Sequence, residues 1–199
     1  YSASTNLVGS WKSSLPDNAP NNLLFNIYEG EKEDLVEFLK SNEISIQPLF
    51  PVTSARFQRL DSKKEIDRTF NFTWMDKLPE GNEVIAGKWF ENENNGISIS
   101  SEISERYELQ VNDQIVIDIA GKKISSYIQS IREVNWENFS PNFFAIGFPD
   151  DFKEISSTFI TSFHIPQEKK PLSSELMKTF PTISYLSLIH ISEPTRLDD

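Results

Sequence analysis

The sequence predicts an α+β fold, and three observations carry the prediction. Two segments far apart in the chain each read strand–helix–strand. The stretch between them is built of alternating apolar residues and turn residues. A continuously apolar run, NFFAIGF at 142–148, fits a strand covered on both faces.

Taken in order, Asn21 to Tyr28 (NNLLFNIY) is a short apolar run bounded by turn residues, hence a strand. Glu31 to Lys40 places Leu35, Phe38 and Leu39 at helical spacing against Glu33, Glu37 and Lys40, an amphipathic helix that Ser41-Asn42 closes. Ile44, Ile46 and Val52 to Leu60 return to extended structure. Phe70 to Trp74 alternates like a strand, and Leu78-Pro79-Glu80-Gly81-Asn82 is a turn-rich break. Ile97 to Leu109 carries Ile99, Ile103 and Tyr107 four apart and reads as a helix opened by serines. Ile115, Ile117 and Ile119 alternate, Ala120-Gly121-Lys122 turns, and Ile124 to Ile131 runs back, which is a hairpin. Thr158 to Ile165 reads as a strand. Ser173 then caps a helix through Phe180, with Leu172 and Met177 placed as a hydrophobic staple, and Thr182 to Tyr185 is extended.

The expected organisation is two-lobed. Residues 21–60 and 141–185 form the main lobe, two strand–helix–strand halves sharing one sheet. Residues 61–140 are inserted as a smaller β-rich lobe, and 1–20 form an N-terminal segment.

Composition narrows the function classes. At 199 residues the chain is long enough to bury a sizeable core, and 38% hydrophobic with 15 Phe argues against disorder. The formal charge of −11 comes with no Lys/Arg stripe, which argues against nucleic acid as a partner. The absence of Cys excludes disulfides, thiolate metal sites and a Cys nucleophile. No run approaches the roughly 20 apolar residues of a membrane span.

The search for chemistry returns no catalytic, cofactor-binding or metal-ligating set. Outside the last fourteen residues the one histidine is His164, set in an apolar strand, where a packed histidine is the ordinary case. No G-x-S-x-G elbow occurs, and scattered glycines exclude phosphate-loop and dinucleotide fingerprints. Glu31-Lys32-Glu33-Asp34 and Asp150-Asp151 are the densest carboxylates, and helix starts explain both better than glycosidase pairs do. Glu91-Asn92-Glu93-Asn94-Asn95-Gly96 offers oxygen ligands but lacks the calcium-loop order, so it reads as a solvated loop. Asn71 and Asn138 head sequons by pattern only. Trp11, Trp74, Trp89 and Trp136 could line a cleft, yet Trp74 and Trp89 alternate with apolar neighbours as core residues do.

Several ordered motifs do resemble a family. They are Trp11…Leu15-Pro16-Asp17-Asn18-Ala19-Pro20-Asn21, Asn71-Phe72-Thr73-Trp74…Leu78-Pro79-Glu80-Gly81-Asn82-Glu83, Ala86-Gly87-Lys88-Trp89, Ser130-Ile131-Arg132-Glu133-Val134-Asn135-Trp136, Pro141-Asn142-Phe143-Phe144 and Phe180-Pro181-Thr182-Ile183-Ser184. In this order they are similar to the large extracytoplasmic domain of FtsX/MacB-like ABC-transporter permeases, of the bacterial YbbP-type subfamily, over residues 11 to 185. One departure is Asn112-Asp113, where the family commonly has Gly-Asp. Asn tolerates positive φ, so the turn is expected to survive.

The resemblance implies a non-catalytic periplasmic domain anchored in the bacterial inner membrane, taking part in ATP-driven export or mechanotransmission, with lipid or another hydrophobic molecule as cargo. It implies an ATPase subunit on another polypeptide, a second permease copy, a periplasmic lysophospholipase/thioesterase as a partner, and no cofactor in this domain. The rival reading is a secreted carboxylate-dependent hydrolase acting on glycan or lipid.

The tail reads differently. Leu186 to Arg196, back-translated, resembles the mosaic-end adapter of transposase-based sequencing libraries, so 186–199 are expected to be a non-native tail and both ends to be cuts. The tail holds three acids against one base, leaving −9 on the remainder.

Overall fold

The computed structural model describes residues 18–61, 63–91 and 95–187. Trp11, the middle of the 91–96 loop and the tail beyond Ser187, His190 included, lie outside them. The fold is α+β, with strands predominating over a few short helices. Two compact units divide the chain. Of the described residues, the first comprises those up to Leu49, Trp136–Pro141 and those from Phe159 to Ser187. The second comprises Phe50–Asn135 and Asn142–Thr158.

In the first unit, β1 (Asn22–Ile27) lies between β9 (Thr158–Phe163) and β10 (Ser184–Ser187), antiparallel to both. Asn26 has φ 58° and the β1–β9 register shifts between Leu24 and Ile27, a bulge that returns Ile27 to the core. Helix α1 (Lys32–Ser41) buries Leu35 and Leu39, while acidic residues occupy its first turn and Lys40 its last, matching the helix dipole. It ends in a Schellman arrangement. Glu43 takes φ 58°, its N–H reaches the Lys40 carbonyl, and Ile44 N–H reaches that of Leu39. Ile44 thereby enters the core. Beyond it, Ile46 makes only an isolated bridge to Phe163 rather than a strand.

Helix α4 (Leu172–Thr179) begins one residue before the expected cap. Ser173 donates its hydroxyl back to the Lys170 carbonyl instead of capping, and Met177 is exposed, so no staple forms. Leu172 and Leu176, four apart, are the buried pair. Leu24, Leu35, Leu39, Phe163, Leu176 and Phe180 belong to one core, in which Phe38 meets Phe180 edge-on at 5.8 Å. Leu186 and Ser187, assigned in the sequence reading to the tail, pair with Leu23 and Asn22 of β1.

In the second unit the strand pairings close on themselves. Strand β2 (Phe50–Arg59) pairs antiparallel with β3 (Thr69–Trp74), and β3 runs parallel to β8 (Ala145–Gly147). Strand β8 is antiparallel to β5 (Ile97–Ser100), which is parallel to β7 (Lys122–Val134). Strand β7 forms the expected hairpin with β6 (Gln114–Ile119), and β6 returns to β2. Inward residues of this circuit, Phe57, Phe72, Ile99, Ile115, Ile117 and Ile128 among them, make one core with Ile103, Tyr107 and Phe152. Ile103 and Tyr107 come from helix α2 (Ser101–Tyr107), and Phe152 from the single-turn helix α3 (Pro149–Phe152). Strand β4 (Asn82–Gly87) adds to the second half of β7.

Two expectations are corrected here, and one strand is added. Residues 97–100 are strand, not helix, because Ile97, Ser98, Ile99 and Ser100 are all buried between β7 and β8, and α2 starts at Ser101 with the Ser100 hydroxyl accepting the Ile103 N–H. Strand β4 had no counterpart in the sequence reading. The 21–60 and 141–185 pairing also fails as a boundary. Strands β2 and β8 belong to the second unit, since their backbone partners are β3, β5 and β6.

Candidate functional site

The strongest polar constellation among the described residues is internal to the second unit and centres on Arg132 of β7. Its side chain is fully buried, and each guanidinium nitrogen donates to a neutral oxygen. Nε reaches Ser98 Oγ at 2.8 Å, Nη1 reaches Asn82 Oδ1 at 2.6 Å, and Nη2 reaches the Phe143 carbonyl at 3.0 Å. Ser130 donates to the same Ser98 hydroxyl at 2.8 Å. Register explains the meeting. In the parallel β5–β7 pair Ser98 lies opposite Ser130 and Ser100 opposite Arg132, so a side chain reaching one step along the ladder lands on Ser98. Burial pushes the Arg132 guanidinium down to about 10, and the Glu102 carboxylate partly restores it.

Chemically this cluster is a hydrogen-bonding hub. Ser98 Oγ accepts two hydrogen bonds and has no base beside it to take a proton, as a nucleophile requires. A planar fork with five donors suits Arg to joining three strands and the approach to β8 at once. Sequence reasoning missed it, because β7 (KKISSYIQSIREV) carries polar residues along its length and Ser130 and Arg132 do not stand out among them.

A second Arg, Arg59 at the end of β2, closes α2. It donates to the carbonyls of Tyr107 and Glu108, the last two residues of the turn, and its Nε lies 2.6 Å from Asp61 Oδ1. The Asp61 carboxyl is accordingly held below its ordinary range by the hydrogen bond from Arg59. Asn112 takes φ 75°, as the Asn-for-Gly departure required, and Asp113 accepts the Gln110 N–H across that turn.

The candidates singled out from sequence find structural partners. His164 Nδ1 lies 2.8 Å from the Ala19 carbonyl. Glu31 accepts the Tyr28 N–H and the Thr182 hydroxyl, and Lys32 sits 3.9 Å over the Phe159 ring. Asp150 and Asp151 begin α3, which has no side-chain cap. The Asp151 carboxyl is pushed up by burial first and by Asp150 second, the reverse of what a stabilising helix start would do. Trp74 is core, stacked on Phe152 at 5.9 Å. Trp89 is half-buried and donates its indole N–H to the Asp76 carbonyl. Trp136 and Asn71 are exposed.

Depressions lined by described residues lie in the first unit. One of about 500 Å³ follows the outer face of α1 from Lys32 to Ser41. Another of about 340 Å³ lies between Asn42 and Glu175, where Lys169 Nζ donates to the Asn42 carbonyl at 2.7 Å. Among the described residues no group of three acidic, His or Cys side chains could hold a metal ion, and no helix is long and apolar enough to cross a membrane.

The class defined by fold and site is a two-unit α+β protein whose polar clusters serve its own architecture. No family model matches the chain. Over 190 residues it is 27% identical to the ABC transporter permease YbbP of Escherichia coli (strain K12), itself uncharacterized. That match takes in 92% of this chain and 23% of YbbP, so the chain spans about a quarter of its relative's length. Among solved structures it is similar to a domain described as part of a permease from Porphyromonas gingivalis, at 13% identity and a TM-score of 0.39, covering 96% of this chain and 85% of that one. At that TM-score the likeness bears on neither fold nor function.

Proposed function

We propose that this chain is the extracytoplasmic domain of a bacterial ABC-type permease subunit of the FtsX/MacB-like, YbbP-type kind. The observation that carries the reading is the similarity to YbbP along 92% of the chain. The domain is non-catalytic and works by changing shape when its membrane helices move, in export or mechanotransmission of lipid or another hydrophobic cargo. Its ATPase is a separate polypeptide reached through the membrane part, and a second permease copy and a periplasmic lysophospholipase/thioesterase complete the assembly. Because attached helices supply the effective concentration for pairing, the isolated domain is monomeric.

The test is the gene and its topology. Extending the reading frame in both directions should give flanking segments of about 20 apolar residues, and a phosphatase fused within the domain should be active only when exported. A signal peptide upstream with a stop codon soon after residue 185, or a phosphatase fusion that stays inactive, would overturn the proposal.

A further inference from the structure

The segment from Glu91 to Gly96 ends in the dipeptide Asn95-Gly96. An asparagine followed by glycine is the backbone sequence most open to spontaneous deamidation, because glycine has no Cβ to hinder its own nitrogen. That nitrogen attacks the Asn95 Cγ as it loses its proton, a C–N bond forms, and Nδ2 leaves as ammonia. Water then opens the succinimide at either carbonyl, giving an aspartyl or an isoaspartyl linkage.

The fold cannot escape the hazard by changing Gly96. A Cβ there would stand 2.4 Å from the Tyr127 carbonyl oxygen and 3.0 Å from its ring, so β7 demands glycine. Nor is Asn95 idle. Its Oδ1 accepts the Glu91 N–H at 3.0 Å and its Nδ2 donates to the Glu91 carbonyl, closing the loop. Only an amide can do both, so the residue that closes the loop is also the electrophile.

What restrains the reaction lies across the sheet. The Gly96 N–H, buried, donates to Gln129 Oε1 at 2.7 Å. The same side chain donates from Nε2 to the carbonyls of Lys88 and Trp89 at 3.2 and 3.3 Å, pinning the other end of the loop. The N–H of the attacking nitrogen is thus held by Gln129 Oε1, and its proton must leave that acceptor before the nitrogen can attack. We propose that Asn95-Gly96 is a latent deamidation site whose rate is set by Gln129. Conversion of the Asn95 side chain to a carboxylate removes the donor to the Glu91 carbonyl and adds a negative charge beside Glu91. The reaction, once it occurs, therefore breaks the Asn95–Glu91 contact and does not reverse.

The test compares the folded chain, the chain in denaturant, Gln129→Ala and Gln129→Glu, incubated at neutral pH and mapped by peptide mass and isoaspartate detection. The folded wild type should deamidate at Asn95 at least roughly tenfold more slowly than in denaturant. Gln129→Ala should recover about that factor while remaining folded, the factor one hydrogen bond of ordinary net strength allows. Gln129→Glu keeps the acceptor for Gly96 N–H and loses the donor to Lys88 and Trp89, so it should stay close to the wild-type rate. A folded wild type as fast as the denatured chain overturns the proposal. So does Gln129→Ala at the wild-type rate, or Gln129→Glu as fast as Gln129→Ala.

Discussion

Arg132 Nε and Ser98 Oγ lie 2.8 Å apart on neighbouring parallel strands, and neither residue has any solvent exposure. A charge this deep is tolerated because every nitrogen has an oxygen, so the pair is costly to break from either side.

Arg132→Met should therefore destabilise the chain by about 3 kcal/mol, since it removes the donors to Asn82 Oδ1 and the Phe143 carbonyl and leaves Ser98 Oγ with Ser130 alone. Ser98→Ala should cost roughly 1–2 kcal/mol by leaving Nε unpaired. The double variant should fall short of the sum by about 0.5 kcal/mol or more, because the two residues share one network. Strict additivity in urea unfolding would show that they do not act together.

The hairpin offers a gain in place of a loss. Ala120 and Gly121 occupy its two turn positions with φ of 52° and 87°, the Asp118 carboxylate accepting the Gly121 N–H at 2.9 Å. Such a turn wants Asn-Gly, and alanine in the left-handed region is strained by its Cβ. Ala120→Asn should raise the unfolding free energy by about 0.5–1 kcal/mol, seen as a higher urea midpoint with an unchanged slope. A lower midpoint would mean that the turn is held by its strands and not by its own residues.

That hairpin was legible in the sequence because Ile115, Ile117 and Ile119 alternate up to the turn at Ala120-Gly121-Lys122 and the run Ile124 to Ile131 follows directly. The closing of the strands into a circuit was not. The β2–β6 and β3–β8 pairs join residues dozens of positions apart, and no local pattern encodes which strand finds which. Strand β5 was hidden for another reason. Ile97 and Ile99 are spaced by two, Ile99, Ile103 and Tyr107 by four, so one segment carries both periods and the longer masks the shorter. Arg132 was illegible because a charged residue in a strand ordinarily points to water, and only the serines on adjacent strands make its burial tolerable.

Asp151 provides a pH signature. Burial and Asp150 raise its carboxyl, so the folded chain holds that proton more tightly than the unfolded chain does. Stability from this group therefore rises as pH falls through the interval just above the ordinary carboxylate range, and its ionised form carries a penalty at neutral pH. Asp151→Asn removes the penalty and should stabilise at pH 7 by a few tenths of a kcal/mol, kept small because solvent screens an exposed group. The gain should vanish by about pH 3, below the carboxylate's ordinary value. An equal gain at both pH values would assign it to the amide's hydrogen bonding instead.

Gly147 ends β8, whose three residues are all buried between β3 and β5. A Cβ there would meet Phe152 ring carbons at 2.3 and 2.8 Å and the Phe72 ring at 2.8 Å. Those two rings already pack edge-on with centroids 4.8 Å apart, so neither can withdraw without opening the contact. Gly147→Ala should cost about 1–3 kcal/mol through overpacking, although alanine is otherwise the less flexible residue in the unfolded chain. Gly147→Ala combined with Phe152→Leu should recover part of that loss relative to the sum of the two single changes, since the smaller side chain clears the space the methyl needs. If the combination is simply additive, the steric reading is wrong and the backbone, not the Phe152 ring, sets the requirement for glycine.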